Sequence, residues 1–231
     1  MENSMVRDNL KQLNFFTRIT NLFTSPNAVF DSLLKKPDFI WPVIFITITS
    51  LINVPITEYI NKIAIQSYPK YAEILNSQPQ TPMLVSILIG FVSLIALWFI
   101  GSLVYWGIAA ISGGKSAGFR QILSIIGYTY ITMALQMIFQ GSIYFTTGIL
   151  PPTGLEAGMD LTSRFFSPLG IFLSMINPFN IASIILTIVA LGKAFQISRT
   201  KATVITLIFW IVFVGIAVIG SIFSSRTLLI L

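Results

Sequence analysis

Cysteine and histidine are both missing from the 231 residues of this sequence. Their absence excludes disulfide bonds, thiolate nucleophiles, zinc sites of the Cys/His type and histidine general bases. The sequence also lacks an HExxH motif, a serine–histidine dyad and a pair of membrane aspartates. We therefore expect that the protein is not an enzyme, and that it has no catalytic residues, no cofactor and no metal ion.

Charged residues are scarce as well. They make up 10% of the chain, whereas soluble domains carry about 25%. Hydrophobic residues make up 55%, and the mean hydropathy is +0.84. A soluble domain of this size must cover its outside with polar groups, which this composition does not supply. The composition therefore predicts an integral membrane protein.

The sequence contains several long runs of apolar residues. About 20 helical residues at 1.5 Å each cross the roughly 30 Å hydrocarbon layer. We expect an all-α fold, a polytopic membrane bundle of about five transmembrane helices with an amphipathic cytosolic N-terminal region. That region would be residues 1–38, and residues 39–225 would form the transmembrane domain. The predicted spans are 39–60, 83–111, 120–147, 178–197 and 203–223.

The N-terminal residues have an amphipathic helical pattern. Apolar residues recur every three or four positions, at Leu10, Leu13, Phe16, Ile19 and Phe23. Such a helix either lies in the membrane interface or packs on the cytosolic face of the protein itself, and the pattern favours neither. After it, Ser25 and Pro26 predict the start of a second helix, which Pro37 ends.

The basic residues predict the topology. In the five-span arrangement one side carries ten Lys and Arg residues and the other side carries four. The ten are Arg7, Lys11, Arg18, Lys35, Lys36, Lys115, Arg120, Lys193, Arg199 and Lys201. The four are Lys62, Lys70, Arg164 and Arg226. The richer side is cytosolic, so we expect a cytosolic N-terminus and an extracytoplasmic C-terminus. The net charge of +6 therefore reflects membrane topology and not nucleic-acid binding.

The predicted third span carries a polar stripe. Its members, spaced three or four apart, are Thr129, Thr132, Gln136 and Gln140. Residues at this spacing share one helix face. Hydrogen bonds between helices of the bundle are the first interpretation, and a polar path or ligand pocket is the second.

The longest connection, residues 148–177, is expected to lie on or dip into the outer interface, with a break at Pro168. Glu156 and Asp160, four positions apart within it, could bind a cation or a basic partner. A solvated loop is the preferred interpretation of this pair.

Small residues mark candidate helix interfaces, because they let another helix approach closely. On the second span these residues are Gly90, Gly101 and Gly107, and on the fifth they are Ala217 and Ser221.

Several short pieces resemble the Yip-domain membrane proteins, Ypt/Rab-interacting in eukaryotes, and in particular their small bacterial branch. The pieces are Thr24-Ser25-Pro26, Lys36-Pro37, the turn Gly113-Gly114 with Gly118-Phe119-Arg120-Gln121, Gly127-Tyr128, Asn177-Pro178-Phe179, Gly192-Lys193 and Lys201-Ala202. The order and position of these pieces on a five-span profile carry the resemblance. One departure is that no proline follows Gly127-Tyr128 closely.

The resemblance implies a bacterial plasma-membrane protein without catalytic residues. Eukaryotic relatives are adaptors that bind small GTPases, and some bacterial relatives serve ABC-type exporters of peptides or drugs. The leading hypothesis is a non-catalytic adaptor or accessory protein of this kind. The alternative is a small transporter or channel acting on its own as an oligomer. Expected partners are membrane lipids, another integral membrane protein such as an ABC exporter, and further copies of this chain.

Overall fold

A computed structural model describes residues 15–68, 81–111 and 117–230. Leu10 and Leu13 of the predicted amphipathic helix lie outside these described residues, as does the Gly113-Gly114 turn. The described chain is built from α-helices with one short 3-10 helix, Leu155–Gly158. In chain order the α-helices are α1 (Phe15–Thr24), α2 (Pro26–Lys35), α3 (Ile40–Ser67), α4 (Met83–Ile111), α5 (Phe119–Thr129), α6 (Ile131–Thr147), α7 (Leu161–Phe166), α8 (Pro168–Ser174), α9 (Pro178–Phe195) and α10 (Arg199–Ile230).

Within the described ranges, five helical stretches are long and apolar enough to cross a membrane. They are Ile40–Ser67, Met83–Ile111, Phe119–Thr147, Pro178–Phe195 and Arg199–Ile222. The predicted all-α bundle of about five spans is therefore confirmed, and the chain is a multi-pass membrane protein.

The first span is longer than predicted. The sequence placed its end near residue 60, because a polar stretch follows, but α3 continues to Ser67. Two tertiary contacts explain the extension: Ala64 is fully buried, and Ser67 Oγ lies 3.0 Å from Thr162 Oγ1. Packing against α7 thus supports a helical segment that hydropathy does not mark.

The third span is interrupted at Tyr130, between α5 and α6. The Tyr130 N–H donates to the Gly127 carbonyl, three residues earlier, at 3.2 Å. The Thr129 hydroxyl donates to the Ile126 carbonyl and the Thr132 hydroxyl to the Thr129 carbonyl, at 2.7 and 2.9 Å. Hydroxyls bonded back in this way bend helices. Threonines therefore accompany a break in a span that has no proline.

The two ends of the bundle differ. Helices α1 and α2 lie at one end, where α2 packs on α5 and α9; we call this end the N-terminal face. Residues 148–177 lie at the other end, the connection face, where α7 and α8 pack on α3 and α10. Leu22, Phe30 and Leu33 belong to the same buried cluster as Ile122 and Phe195. The N-terminal helices thus share one core with the spans.

Helix α1 packs on the protein itself through only part of its surface. Leu22 and Arg18 are buried, whereas Phe16 is 78% exposed and Phe23 is 48% exposed. Of the two placements left open by the sequence, residues 15–24 show the contact with the protein's own face. The side chains of Phe16 and Phe23 are exposed on the outer side of the helix.

Helices α4 and α10 are peripheral. In the most hydrophobic 18-residue stretch of each span, 6% of the residues of α4 and 22% of those of α10 are buried, compared with 56% in the third span. These two helices carry most of the exposed aliphatic and phenylalanine side chains of the spans. The apolar surface of α4 and α10 thus faces the surroundings, which in a membrane are lipid or another protein.

Candidate functional site

A cavity of about 590 Å³ lies inside the bundle, within the range of about 300–1,000 Å³ for small-molecule sites. Helices α4, α5, α6, α9 and α10 form its walls, and the connection from Thr153 to Asn177 contributes its roof. The end toward the N-terminal face is closed by packed side chains, among them Tyr105 and Phe209, whose ring centroids are 4.5 Å apart. We call this space the central cavity.

The structure brings the whole predicted polar stripe together on the cavity wall. All four of its members line the central cavity, namely Thr129, Thr132, Gln136 and Gln140. The Gln136 amide donates to the Thr153 hydroxyl, and the Gln140 amide donates to the Pro151 carbonyl, each at 3.3 Å. Both glutamines therefore bind the connection and not a neighbouring span.

Two charged side chains of the roof were missed by sequence reasoning. Glu156 is 3% exposed and Arg164 is 7% exposed, and both line the central cavity. The preferred interpretation of Glu156 as part of a solvated loop is wrong. The 3-10 helix Leu155–Gly158 turns this residue inward, and its Oε1 accepts a hydrogen bond from the Thr153 N–H at 2.9 Å.

Arg164 is incompletely partnered. Its two terminal nitrogens both donate to the Leu150 carbonyl at 3.4 Å, and its Nε has no hydrogen-bond partner. Glu156 Oε2 also lacks a partner. Burial lowers the pKa of Arg164, and the nearby charges of Glu156 and Tyr59 act in the opposite direction. The roof thus holds one charge of each sign in a buried setting, where charges are stable only when paired.

Local capping explains why the roof folds inward. Asp160 accepts a hydrogen bond from the Ser163 N–H and begins α7. Hydrogen bonding with the Ser163 side chain, and then with its N–H, lowers the pKa of the exposed Asp160 carboxyl. Ser167 caps α8 in the same way, and Pro168 occupies its first turn, so the predicted break at Pro168 is found where expected. A Cβ atom on Gly170 would collide with the Ser163 carbonyl. Glycine thus lets the two short helices lie against each other.

Helices α4 and α10 touch near the closed end of the cavity and separate toward the connection face. A Cβ on Gly101 would lie 3.7 Å from Phe209, in ordinary contact. Gly90 and Gly220 are eleven positions, about three turns, from Gly101 and Phe209 toward the connection face, so each lies on the same side of its helix. Neither has any atom within 4 Å of an added Cβ. We call this opening the lateral gap.

The lateral gap leads to the central cavity. Leu97, Ile100 and Phe213 line the cavity and are 45%, 57% and 43% exposed. These residues lie between the contact at Gly101 and Phe209 and the open glycines. The cavity is therefore accessible from the side of the bundle that faces the membrane interior.

The other small-residue positions are not packed against a span in the way that Gly101 is. Gly107 has no atom within 4 Å of an added Cβ. Ala217 is half-buried, and Ser221 is buried with its hydroxyl donating to the Val218 carbonyl at 2.7 Å. Phe119, beside the turn of the family motif, stacks edge-on against Phe99 at 5.2 Å. The proposed contact of these positions with a partner stays a prediction.

A second polar cluster ties the N-terminal helices to the bundle. Arg18 forms an ion pair with Asp38 at 2.9 Å, and the Tyr128 hydroxyl donates to the same carboxylate at 2.8 Å. The Ser124 hydroxyl donates to the Asp38 carbonyl and accepts from the Asp38 N–H. Near α9, Lys193 pairs with Asp31 at 3.0 Å. We call Arg18, Asp38, Ser124 and Tyr128 the docking cluster.

The residues that carry the family resemblance recur in these contacts. Tyr128 belongs to the docking cluster, and Lys193 pairs with α2. The Gln121 amide donates to the Leu34 carbonyl at 2.6 Å, while its carbonyl oxygen accepts from the Gly118 N–H at 2.6 Å. The short motifs thus hold the N-terminal helices against the spans.

Comparison with known families agrees with this architecture. The Yip1 domain family model matches residues 20–221, nearly the whole chain. The chain belongs to the Yip1 domain family. The match includes α2 together with all five spans, as the shared core requires. Comparison with curated proteins and with solved structures gives no match.

Proposed function

We propose that this Yip1 domain protein is a non-catalytic accessory protein that binds another integral membrane protein side by side in the bilayer. The observation that carries the proposal is the peripheral position of α4 and α10. In a bundle of five spans, these two helices expose most of their apolar surface. A single further membrane protein can contact such faces without rearrangement of the core.

Two glycines outside the cavity mark the surfaces for such contacts. Gly107 on α4 and Gly215 on α10 have nothing within 4 Å of an added Cβ. Neither lines the central cavity. Association of helices in lipid depends on close backbone approach at small residues, because lipid supplies no hydrophobic driving force. Both positions would therefore support tight packing of a partner helix.

The finer proposal concerns the class of partner. The resemblance to the bacterial branch of the family suggests an ABC-type exporter of peptides or drugs in the plasma membrane. Accessory subunits of such machines need membrane-embedded contact surfaces and no chemistry of their own. Among the described residues, no group of three or more acidic residues is placed to hold a metal ion, and the family is not known for catalysis.

A transporter or channel acting on its own is the second candidate, and the polar stripe on the cavity wall favours it. Transporters usually place ionisable groups near the middle of the membrane. Here the charges of the cavity lie in the roof, and a packed cluster that includes Ala109, Ile122 and Leu191 fills the bundle toward the N-terminal face. A binding pocket fits this geometry better than a path through the protein.

Co-purification tests the proposal. The tagged protein is extracted from native membranes in mild detergent, after brief crosslinking in a parallel sample, and its companions are identified by mass spectrometry. We expect one integral membrane protein in stoichiometric amount, and Gly107→Leu or Gly215→Leu to reduce its recovery about tenfold, which corresponds to about 1.4 kcal/mol. The matched control is Ile185→Leu, which changes an exposed residue of α9, outside the two proposed contact surfaces.

Two results would count against the accessory role. One is a solitary protein in both the crosslinked and the untreated samples. The other is full recovery of the companion with both leucine variants, provided that their thermal unfolding midpoints match the wild type. The first result rejects a stable partner, and the second rejects the proposed contact surfaces.

A further inference from the structure

We propose that the central cavity binds one phospholipid from the leaflet on the connection side. The phosphate of its head group would pair with Arg164, and one acyl chain would lie along the cavity wall formed by α4 and α10. The second chain would stay in the bilayer through the lateral gap. This binding site is independent of the accessory role proposed above.

Arg164 supplies the first argument. Its guanidinium offers five N–H donors in a planar fork that suits phosphate oxygens. Arg164 is 7% exposed and lines the cavity. Its guanidinium makes two 3.4 Å bonds to the Leu150 carbonyl and lies over the Phe165 ring at 5.1 Å, and neither of these partners carries a negative charge. A buried guanidinium without an anionic partner is stabilised by binding an anion.

Glu156 limits which anion fits. Its carboxylate lies on the same roof, and Oε2 has no donor. A bare phosphate would meet this negative charge without compensation, whereas a head group that carries an ammonium as well as a phosphate complements both side chains. Phosphoethanolamine has this pair of charges. The Gln136 amide on the adjoining wall donates one N–H to Thr153 and has a second N–H that can bind a remaining oxygen.

The depth of the polar and apolar groups supplies the second argument. The charged and amide groups lie at the roof and on the upper walls, near the connection face, where head groups would be. Below them, toward the closed end, the wall is mainly apolar and aromatic, with Phe209, Trp210 and Phe213. Thr129 and Thr206 also line it, but their hydroxyls donate to carbonyls of their own helices. This order, polar at the membrane surface and apolar at depth, matches the order of groups in a phospholipid.

The lateral gap supplies the third argument, because it gives a lipid a way in. On the connection side, nothing lies within 4 Å of a Cβ added at Gly90 of α4 or at Gly220 of α10. A lipid can therefore enter from the bilayer without passing through water. A soluble phosphate metabolite would have to enter past the roof, which α7 and α8 cover.

Quenching of Trp210 tests the site. The probe is lysophosphatidylethanolamine with a brominated acyl chain, added to the purified full-length protein in mild detergent. We expect saturable quenching that the Trp210→Phe variant lacks, because this side chain lines the cavity. Arg164→Gln should weaken binding about ten- to one-hundredfold, as expected for loss of a charge-assisted hydrogen bond. The matched control is Arg199→Gln, at the N-terminal face, which should bind as the wild type does.

A second variant is needed because Arg164→Gln could disturb the folding of the roof. Gly90→Phe places a ring in the lateral gap, at a position where an added Cβ meets nothing within 4 Å. It should slow association of the probe at least severalfold while leaving the thermal unfolding midpoint unchanged. Equal quenching in the wild type and the Trp210→Phe variant would overturn the proposal. So would equal affinity of the wild type and Arg164→Gln for the probe, or displacement of the probe by millimolar inorganic phosphate alone.

Discussion

Gly127 shows how a single hydrogen atom in place of a methyl group sets the packing of three spans. An added Cβ would lie 2.6 Å from Pro42 Cβ and 2.9 Å from Trp98 Cε2. The proline ring is rigid and the tryptophan is held by a hydrogen bond from its Nε1 to the Leu123 carbonyl at 2.9 Å. Neither neighbour can move away at low cost, so the first, second and third spans meet at this glycine.

Gly127→Ala is therefore expected to lower the free energy of unfolding by about 1–3 kcal/mol, the usual cost of overpacking a core. Thermal unfolding in detergent, followed by circular dichroism, measures the change. Gly107→Ala is the matched control, since its Cβ meets nothing within 4 Å and alanine favours the helix by up to about 1 kcal/mol. A midpoint for Gly127→Ala at or above that of the control would contradict this account.

At this scale the sequence was informative for periodic features and uninformative for contacts. It predicted that Thr129 and Gln136 share a face, because helical spacing is local. It marked Gly127 as part of a motif without giving the reason, since Pro42 and Trp98 are distant in the chain. Glu156 was misplaced because glycines and prolines around it suggested a solvated loop. The capping signals at Asp160 and at Ser167-Pro168 could have revealed the ordered roof.

At the scale of elements, the docking of α1 and α2 depends on one partly buried carboxylate. Asp38 is 18% exposed in its side chain and binds Arg18, which is 10% exposed. Tyr128 and Ser124 donate to the same residue. Because the ion pair is shielded from water, its loss leaves a buried guanidinium without a counter-charge.

Asp38→Asn should therefore destabilise the protein by roughly 3 kcal/mol, the lower end of the cost of breaking a buried pair, and should loosen α1 and α2 first. Hydrogen exchange measured by mass spectrometry would show faster exchange in residues 15–35. Tyr128→Phe removes two hydrogen bonds, one to Asp38 and one from Arg18, and keeps the ion pair. A smaller loss of about 1–2 kcal/mol is therefore expected. Unchanged exchange in Asp38→Asn would mean that apolar contacts alone hold the N-terminal helices.

The spans themselves were predictable, because a hydrophobic run of this length is a local signal. The predicted and observed bounds differ most at the end of α3, where contacts with α7 extend the helix beyond its apolar part. The docking of α1 was not predictable from its own pattern. The amphipathic face fits lipid and protein equally, and the choice depends on partners more than one hundred residues away.

At the scale of the whole molecule, an odd number of spans would put the helices before the first span and the end of α10 on opposite sides of the membrane. The distribution of Lys and Arg, ten against four, predicts that the N-terminal face is cytosolic. The connection face, with the roof of the cavity, would then be extracytoplasmic.

The absence of cysteine from the sequence makes this orientation easy to test. Single cysteines are introduced at two exposed positions, Ala157→Cys on the connection face and Thr200→Cys in the first turn of α10. A membrane-impermeant maleimide should label the first in intact cells and the second only after permeabilisation. The parent chain, which has no thiol, is the blank. The reverse pattern would invert the topology and assign the central cavity to the inner leaflet.

The docking of the N-terminal helices also sets an order of events during synthesis. Arg18 cannot bind Tyr128 until Tyr128 has been synthesised. Likewise Asp31 cannot pair with Lys193, which is 162 residues later in the chain, until Lys193 has been synthesised. At about 5–20 residues per second, the ribosome needs roughly ten seconds or more to cover that distance. The first helices to leave the ribosome are thus among the last to reach their places. Until then, an insertion factor or chaperone at the membrane can hold their apolar faces.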